Sequence, residues 1–213
     1  MHQGTEKAVK IAETHGISVF QINTAKFKTN TISIFLCDTL RKQTASKNAL
    51  LPAVLKRGTR NFPTHKHIAM QLESLYGALF DASVSKKGDT QIIQFHMECI
   101  CDKYLEGSNL FEKGFQLMYD IITNPASEGN SFREDYVAQE KENLIKLIQS
   151  RINDKIEYSI DRCFEEMCKD EPFGIYQYGN VENVEAISAG ELFEHYSSVL
   201  ESLPMLVYIS GDV

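Results

Sequence analysis

Apolar residues take alternate positions in two early stretches, residues 17–22 and 32–36, and in the second Ile32, Ile34 and Leu36 share one side with polar partners between them. Successive strand side chains point to opposite faces, so this period of two predicts half-buried strands. Over residues 48–56 the pattern becomes a longer apolar run with Ser46 in front as an N-cap candidate. It predicts a helix, with Pro52 costing one backbone hydrogen bond and introducing a kink. Arg57-Gly58-Thr59 ends that run. Pro63-Thr64 opens the next helix, where Ile68, Leu72, Leu75 and Tyr76 recur at helical spacing until Gly77 stops it.

Residues 79–85 and 89–100 follow as two strands joined by Lys86-Lys87-Gly88, with Ile93, Phe95, Met97 and Cys99 alternating against Ile92, Gln94, His96 and Glu98. That pattern predicts a hairpin. Phe111, Phe115, Met118 and Ile122 mark a helix ended by Asn124-Pro125, and polar residues 127–130 form a short loop. Helical periodicity then runs through Leu144, Ile148, Ile152, Ile156, Ile160, Phe164 and Met167, as one helix or as two with a restart at Asn153-Asp154. A last helix opens at Ser188-x-x-Glu191, which has capping-box spacing, and residues 205–210 close as a buried strand. Strands that neighbour one another antiparallel, with helices grouped after them, predict an α+β fold. The chain stops at Gly211-Asp212-Val213 directly after a strand, so residues 1–213 are expected to be one domain cut from a longer parent.

Composition narrows the function. With 22 Lys+Arg against 29 Asp+Glu the net charge is −7, which disfavours a nucleic-acid partner because phosphate binding needs a concentrated basic face. No run approaches the roughly 20 apolar residues that cross a bilayer, and residues 1–10 lack the apolar core of a signal peptide. Five cysteines without a Cys-x-x-Cys pair fit a reducing compartment, and a cytoplasmic location with no membrane contact is expected.

Catalytic motifs are mostly missing: there is no Gly-x-Ser-x-Gly elbow, phosphate loop, dinucleotide fingerprint or His-Glu-x-x-His. His65 and His67, two residues apart, point to different sides of a helix and are expected to be exposed. Cys99 and Cys101, and Cys163 and Cys168, are expected to be buried small hydrophobes. Glu191-Leu192-Phe193-Glu194-His195 falls one residue short of an inverted zinc motif, and a solvated helical face explains it.

The order and spacing of several strings resemble the insulinase/pitrilysin family of zinc peptidases. They are Arg57-Gly58-Thr59 after a helix, Leu72-Glu73-x-Leu75-Tyr76-Gly77 before a strand, Glu140-Lys141-Glu142 on the long helix, Pro172-Phe173-Gly174 with Gly179, and Gly211-Asp212. The resemblance implies a two-layer insulinase-type domain, a mostly antiparallel mixed sheet packed against several helices. It also implies that this is the N-terminal domain of a chain with a second, similar one. Active members carry His-x-x-Glu-His ending six residues before that Thr, which counts back here to Ala49-Leu50-Leu51-Pro52-Ala53. Their third ligand, a glutamate on the long helix, falls at Ala138, or at Glu134 or Glu142 with a one-turn shift. Zinc chemistry needs two imidazoles one turn apart and a carboxylate to take a proton from metal-bound water. Ala49, Pro52, Ala53 and Ala138 supply none of these groups, so no catalytic residue, no metal and no cofactor is expected.

The resemblance is nearest to the family's non-catalytic bacterial branch, and it implies binding of a peptide or of a catalytic homologue with intact His-x-x-Glu-His. In active members the strand corresponding to residues 79–85 pairs with an extended peptide, so Leu79, Phe80, Asp81, Ala82 and Ser83 are the candidate binding residues; an ordinary sheet edge is the alternative. Two further functions are weighed: a working peptidase with ligands drawn from His65, His67 and His195, and a purely structural dimerisation domain.

Overall fold

The computed structural model describes residues 7–105 and 107–213, so residues 1–6 of the segment tested for a signal peptide lie outside the described residues. In chain order the elements are β1 (Val9–Thr14), β2 (Ile17–Asn23), β3 (Thr29–Thr39), α1 (Ala45–Leu55), α2 (His65–Ser74), β4 (Leu79–Lys87), β5 (Thr90–Ile100), α3 (Leu110–Thr123), β6 (Ser127–Glu128), β7 (Ser131–Phe132), α4 (Glu134–Ser150), α5 (Lys155–Met167), α6 (Val181–Ala186), α7 (Ala189–Ser202) and β8 (Met205–Gly211). The main sheet runs β1-β2-β8-β3-β5-β4. The β2–β8 pair is parallel and the other pairs are antiparallel, so the expected α+β, mostly antiparallel mixed sheet is what forms.

Strict alternation explains the sheet. Along β3 and β5 every second residue is buried, and Ile32, Ile34 and Leu36 join Ile93, Phe95, Met97 and Cys99 in one core under the helices. The opposite face carries a separate aromatic group, Phe20 stacked on Tyr208 with centroids 4.8 Å apart and Phe35 edge-on at 5.9 Å.

Helix α1 lies on the core face, against β4, β5, α4, α6 and α7. Nine of its 11 residues are buried, so it has no polar stripe, as a helix enclosed on all sides requires. Pro52 does not break it. The proline stands in the last turn, where it removes only the bond that Asn48 C=O would accept, and Lys56 N–H still closes on Pro52 O at 3.2 Å. Ser46, expected as the cap, sits inside the helix and donates to Tyr178 O at 3.5 Å; Thr44 is the N-cap.

A buried polar network holds α1 in place. Asn48 Nδ2 donates to Asp38 Oδ2 on β3 at 3.1 Å and to Gln91 Oε1 on β5 at 2.9 Å. Gln91 Nε2 donates to Ala45 O and Gln177 O at 3.0 and 2.6 Å. The remaining acceptor, Asn48 Oδ1, lies 2.6 Å from His195 Nε2, which must therefore carry the proton. His195 is thus half-buried and structural, in place of the solvated helical position expected of it.

Other expectations divide similarly. The long periodic stretch restarts at Asp154, whose side chain accepts from Glu157 N–H at 3.1 Å, and Ser188 and Glu191 form the capping box. Residues 127–130, expected as a loop, belong to the β6–β7 hairpin, while β1 and α6 had no sequence signature. Cys99 and Cys101 are buried as expected, but Cys163 is exposed and Cys168 only half-buried. No described helix is long and apolar enough to cross a membrane.

The network predicts a pH dependence. Burial pushes the His195 imidazole below its ordinary 6.5, Lys47 pushes the same way and Asp38 opposes both. The unfolded chain therefore binds more protons than the folded one as pH falls through 6.5, and stability drops with it. His195→Gln keeps an N–H donor and removes the titration. Urea unfolding between pH 7 and pH 5, within reach of a histidine's titration, is expected to show a shallower loss of stability for the variant than for the parent.

Candidate functional site

Between α1, β4 and α4 lies a cavity of about 230 Å³, lined by Ala49, Pro52 and Ala53 from α1, Ala82, Ser83 and Val84 from β4, Glu140, Asn143, Leu144 and Leu147 from α4, and Tyr178. The fold thus gathers three of the positions singled out in the sequence, together with two residues of the candidate binding strand. The α1 positions meet because residues 49, 52 and 53 follow the i, i+3, i+4 rule of one helical face.

Ala138 is not among them. It stands exposed on α4, two residues from buried Glu140 and hence about 200° around the axis. Glu134 and Glu142, the one-turn alternatives, are exposed as well. The α4 residues that face α1 are Glu140, Asn143, Leu144 and Leu147, an i, i+3, i+4, i+7 series. Ala138, Glu134 and Glu142 thus stand off the cavity, and this series forms its α4 wall. The signal was present in the helical period of α4, but a short string match cannot show which way a helix is turned.

Glu140 is the one acidic side chain on the cavity wall, and both of its oxygens are engaged. Oε1 pairs with the Arg57 guanidinium, and Oε2 accepts from Asn143 Nδ2 at 3.1 Å. Arg57 comes from the Arg57-Gly58-Thr59 string, whose backbone is tightly held. Thr59, fully buried, accepts from the N–H of Asn61 and Phe62 at 3.1 and 2.9 Å. A Cβ at Gly58 would strike the Pro63 carbonyl, so only glycine fits. The string positions an arginine against a carboxylate that faces the cavity.

Zinc does not fit this donor set. A catalytic zinc takes three protein ligands and one open position. Here the residues lining the wall carry one carboxylate already paired to arginine, one amide, the hydroxyls of Ser83 and Tyr178, and no imidazole or thiol. Among the described residues no group of three or more His, Cys, Asp or Glu is placed to hold a metal ion. His65 and His67 are exposed on α2, His67 Nδ1 lying 2.9 Å from Thr64 Oγ1, while His195 is committed to Asn48. The structure does not bring these three histidines together.

Strand β4 is the last strand of the sheet and pairs on one side only, with β5, from Leu79↔Glu98 to Lys87↔Thr90. Its other edge is open among the described residues. Ala82 and Val84 point inward towards α1, Phe80 packs half-buried at the core margin, Leu79 is exposed, and Asp81 pairs with Lys56 Nζ at 3.2 Å.

No protein-family model matches the chain. Over 199 residues, 93% of its length, it is 38% identical to the "Probable inactive metalloprotease YmfF" of Bacillus subtilis (strain 168), of which it covers 47%. It superposes on a conserved protein from Enterococcus faecalis V583 with a TM-score of 0.91 at 26% identity, covering 97% of this chain and 49% of that one. A peptidase M16 inactive domain from Pseudomonas fluorescens matches with a TM-score of 0.77 at 13% identity, covering 97% and 47%, a likeness of fold. The chain spans about half the length of these relatives. The resemblance read from the motif strings is thus matched by sequence identity and by fold.

Two outcomes follow from the cavity wall. Glu140→Ala leaves the Arg57 guanidinium partly buried without its partner and is expected to cost about 2 kcal/mol in urea unfolding, whereas exposed Glu142→Ala should change stability by under about 0.5 kcal/mol. In a chain carrying Ala49→His and Ala53→His, adding Leu147→Glu is expected to tighten zinc binding in a competition assay with a chromophoric chelator. Adding Ala138→Glu should leave it unchanged.

Proposed function

We propose that this chain, a homologue of an inactive metalloprotease with the M16 peptidase fold, works as a binding module. It holds an extended peptide, or a strand of a catalytic relative, along β4. The observation that carries this reading is the junction of two features: a sheet edge unpaired among the described residues and, beside it, a cavity whose α1 wall is Ala49, Pro52 and Ala53, none of which is a metal ligand. An edge strand offers alternate N–H and C=O groups to any extended segment, and those main-chain bonds do not depend on a metal.

The candidate residues Leu79, Phe80, Asp81, Ala82 and Ser83 then have distinct parts. Leu79, Asp81 and Ser83 are exposed at the edge, where they flank an incoming strand. Ala82 is buried against α1 and keeps the backbone close to the cavity. Phe80 anchors the start of the strand on the core. A side chain of the bound strand that points towards α1 enters the cavity, where the alkyl groups of Ala49, Pro52, Ala53, Leu144 and Leu147 favour an aliphatic residue.

Hydrogen exchange tests the reading. A pool of extended peptides selected for binding is expected to slow amide exchange in β4 and to leave β1, at the other end of the sheet, unchanged. Filling the cavity by Ala53→Phe should weaken that binding about tenfold, or about 1.4 kcal/mol. Protection elsewhere with β4 unaffected would refute the proposal.

A further inference from the structure

Helix α5 is amphipathic, and it is turned inside out. Ile156, Ile160, Cys163, Phe164 and Met167 fall on one side at intervals of three and four. None of them is buried: Ile156 and Met167 are each 74% exposed, Ile160 45% and Phe164 42%. Ile152, in the turn ahead of the helix, extends the stripe at 57%. The polar side faces the protein instead. The mostly buried Arg151 side chain donates to Asp161 at 3.1 Å and Glu165 at 2.7 Å, and its guanidinium lies 3.9 Å from the Tyr176 ring centroid and 5.2 Å from that of Tyr158. The ion-pair side is the one that docks, and the apolar side is left largely to water, with Phe164 alone meeting Phe173 edge-on at 5.4 Å, the reverse of what burial of apolar area favours.

We infer that this stripe is an interface between two copies of the chain, joined as an antiparallel pair of α5 helices about a two-fold axis. Two observations select this occupant. The first is charge. One flank of the stripe carries Lys155 at the start of the helix and Glu166 at its end. Antiparallel pairing about a two-fold axis sets the same flank of both helices together, so Lys155 of each copy meets Glu166 of the other. Arg162, between them, bonds Glu165 and Glu166 at 2.6 and 2.7 Å within its own helix, so Glu166 is shared between Arg162 and the incoming Lys155. The second is area. Exposed Ile152, Ile156, Ile160, Phe164 and Met167 from two copies amount to roughly 1,000 Å², at the lower bound for a specific interface and in the range of a reversible, micromolar association.

The same charges disfavour a lipid surface. Around the stripe Glu157, Glu166 and Asp170 balance Lys155, Arg162 and Lys169, whereas helices that lie on anionic membranes have strongly basic polar faces. The surface lies on a different element from β4, so this inference stands whether or not β4 binds a strand.

Sedimentation velocity on the 213-residue chain, from low to high micromolar concentration, tests the inference. A reversible monomer–dimer equilibrium is expected. Ile156→Glu with Met167→Glu, at positions outside the core, should leave the circular dichroism spectrum unchanged and the protein monomeric. Lys155→Glu and Glu166→Lys should each weaken the dimer about fivefold, with two symmetry-related pairs affected, and the double swap should restore it to within about twofold of the parent. A parent chain that stays monomeric, a dimer indifferent to the Glu substitutions, a charge swap that fails to restore association, or flotation with phosphatidylcholine vesicles in place of dimerisation would each overturn it.

Discussion

Everything at the candidate site depends on the seating of one helix, α1. Helix α1 is enclosed by sheet and helices, and a few buried polar groups fix its position. Asn48 bonds Asp38, Gln91 and His195 at once, and so ties α1 to β3, β5 and α7. A buried network satisfied in this way specifies one arrangement, because any shift of the helix would strand donors and acceptors out of water. With α1 set there, Ala49, Pro52 and Ala53 turn towards β4 and α4, and the chemistry of the cavity follows from what those side chains lack.

The architecture around the cavity is held by contacts that involve no metal. Arg57 reaches Glu140, Gly58 passes against Pro63, and Gly179 admits Ser46 of α1 at a distance that no Cβ would allow. At the C-terminal end Asn30 takes the N–H of Asp212 at 3.0 Å beside Gly211. These contacts are why the scattered strings in the sequence keep their spacing. They are packing and backbone constraints, and their presence says which fold forms without requiring that the chemistry remain.

Much of this was legible beforehand, for identifiable reasons. The β4–β5 hairpin, α2 and the capping box at Ser188 showed because their residues obey local rules of period two, period 3.6 and cap spacing. Strand β1 did not show, since all six of its residues are exposed and only pairing with β2 makes it a strand. The outward orientation of Ala138 and the buried place of His195 were hidden for a common reason. Both depend on how a helix is rotated against its neighbours, which is decided by tertiary packing. Cys163 was misplaced because α5 inverts the rule that an apolar stripe faces inward.

The central claim is that the α1–α4 cavity, with one arginine-paired carboxylate and no imidazole among its lining residues, cannot hold zinc. It is tested most directly by dialysing the purified chain against a zinc buffer, removing loosely held metal by gel filtration and measuring zinc by mass spectrometry. The account predicts zinc far below one atom per chain, unchanged by Glu140→Gln. One atom per chain, lost on Glu140→Gln, would contradict it.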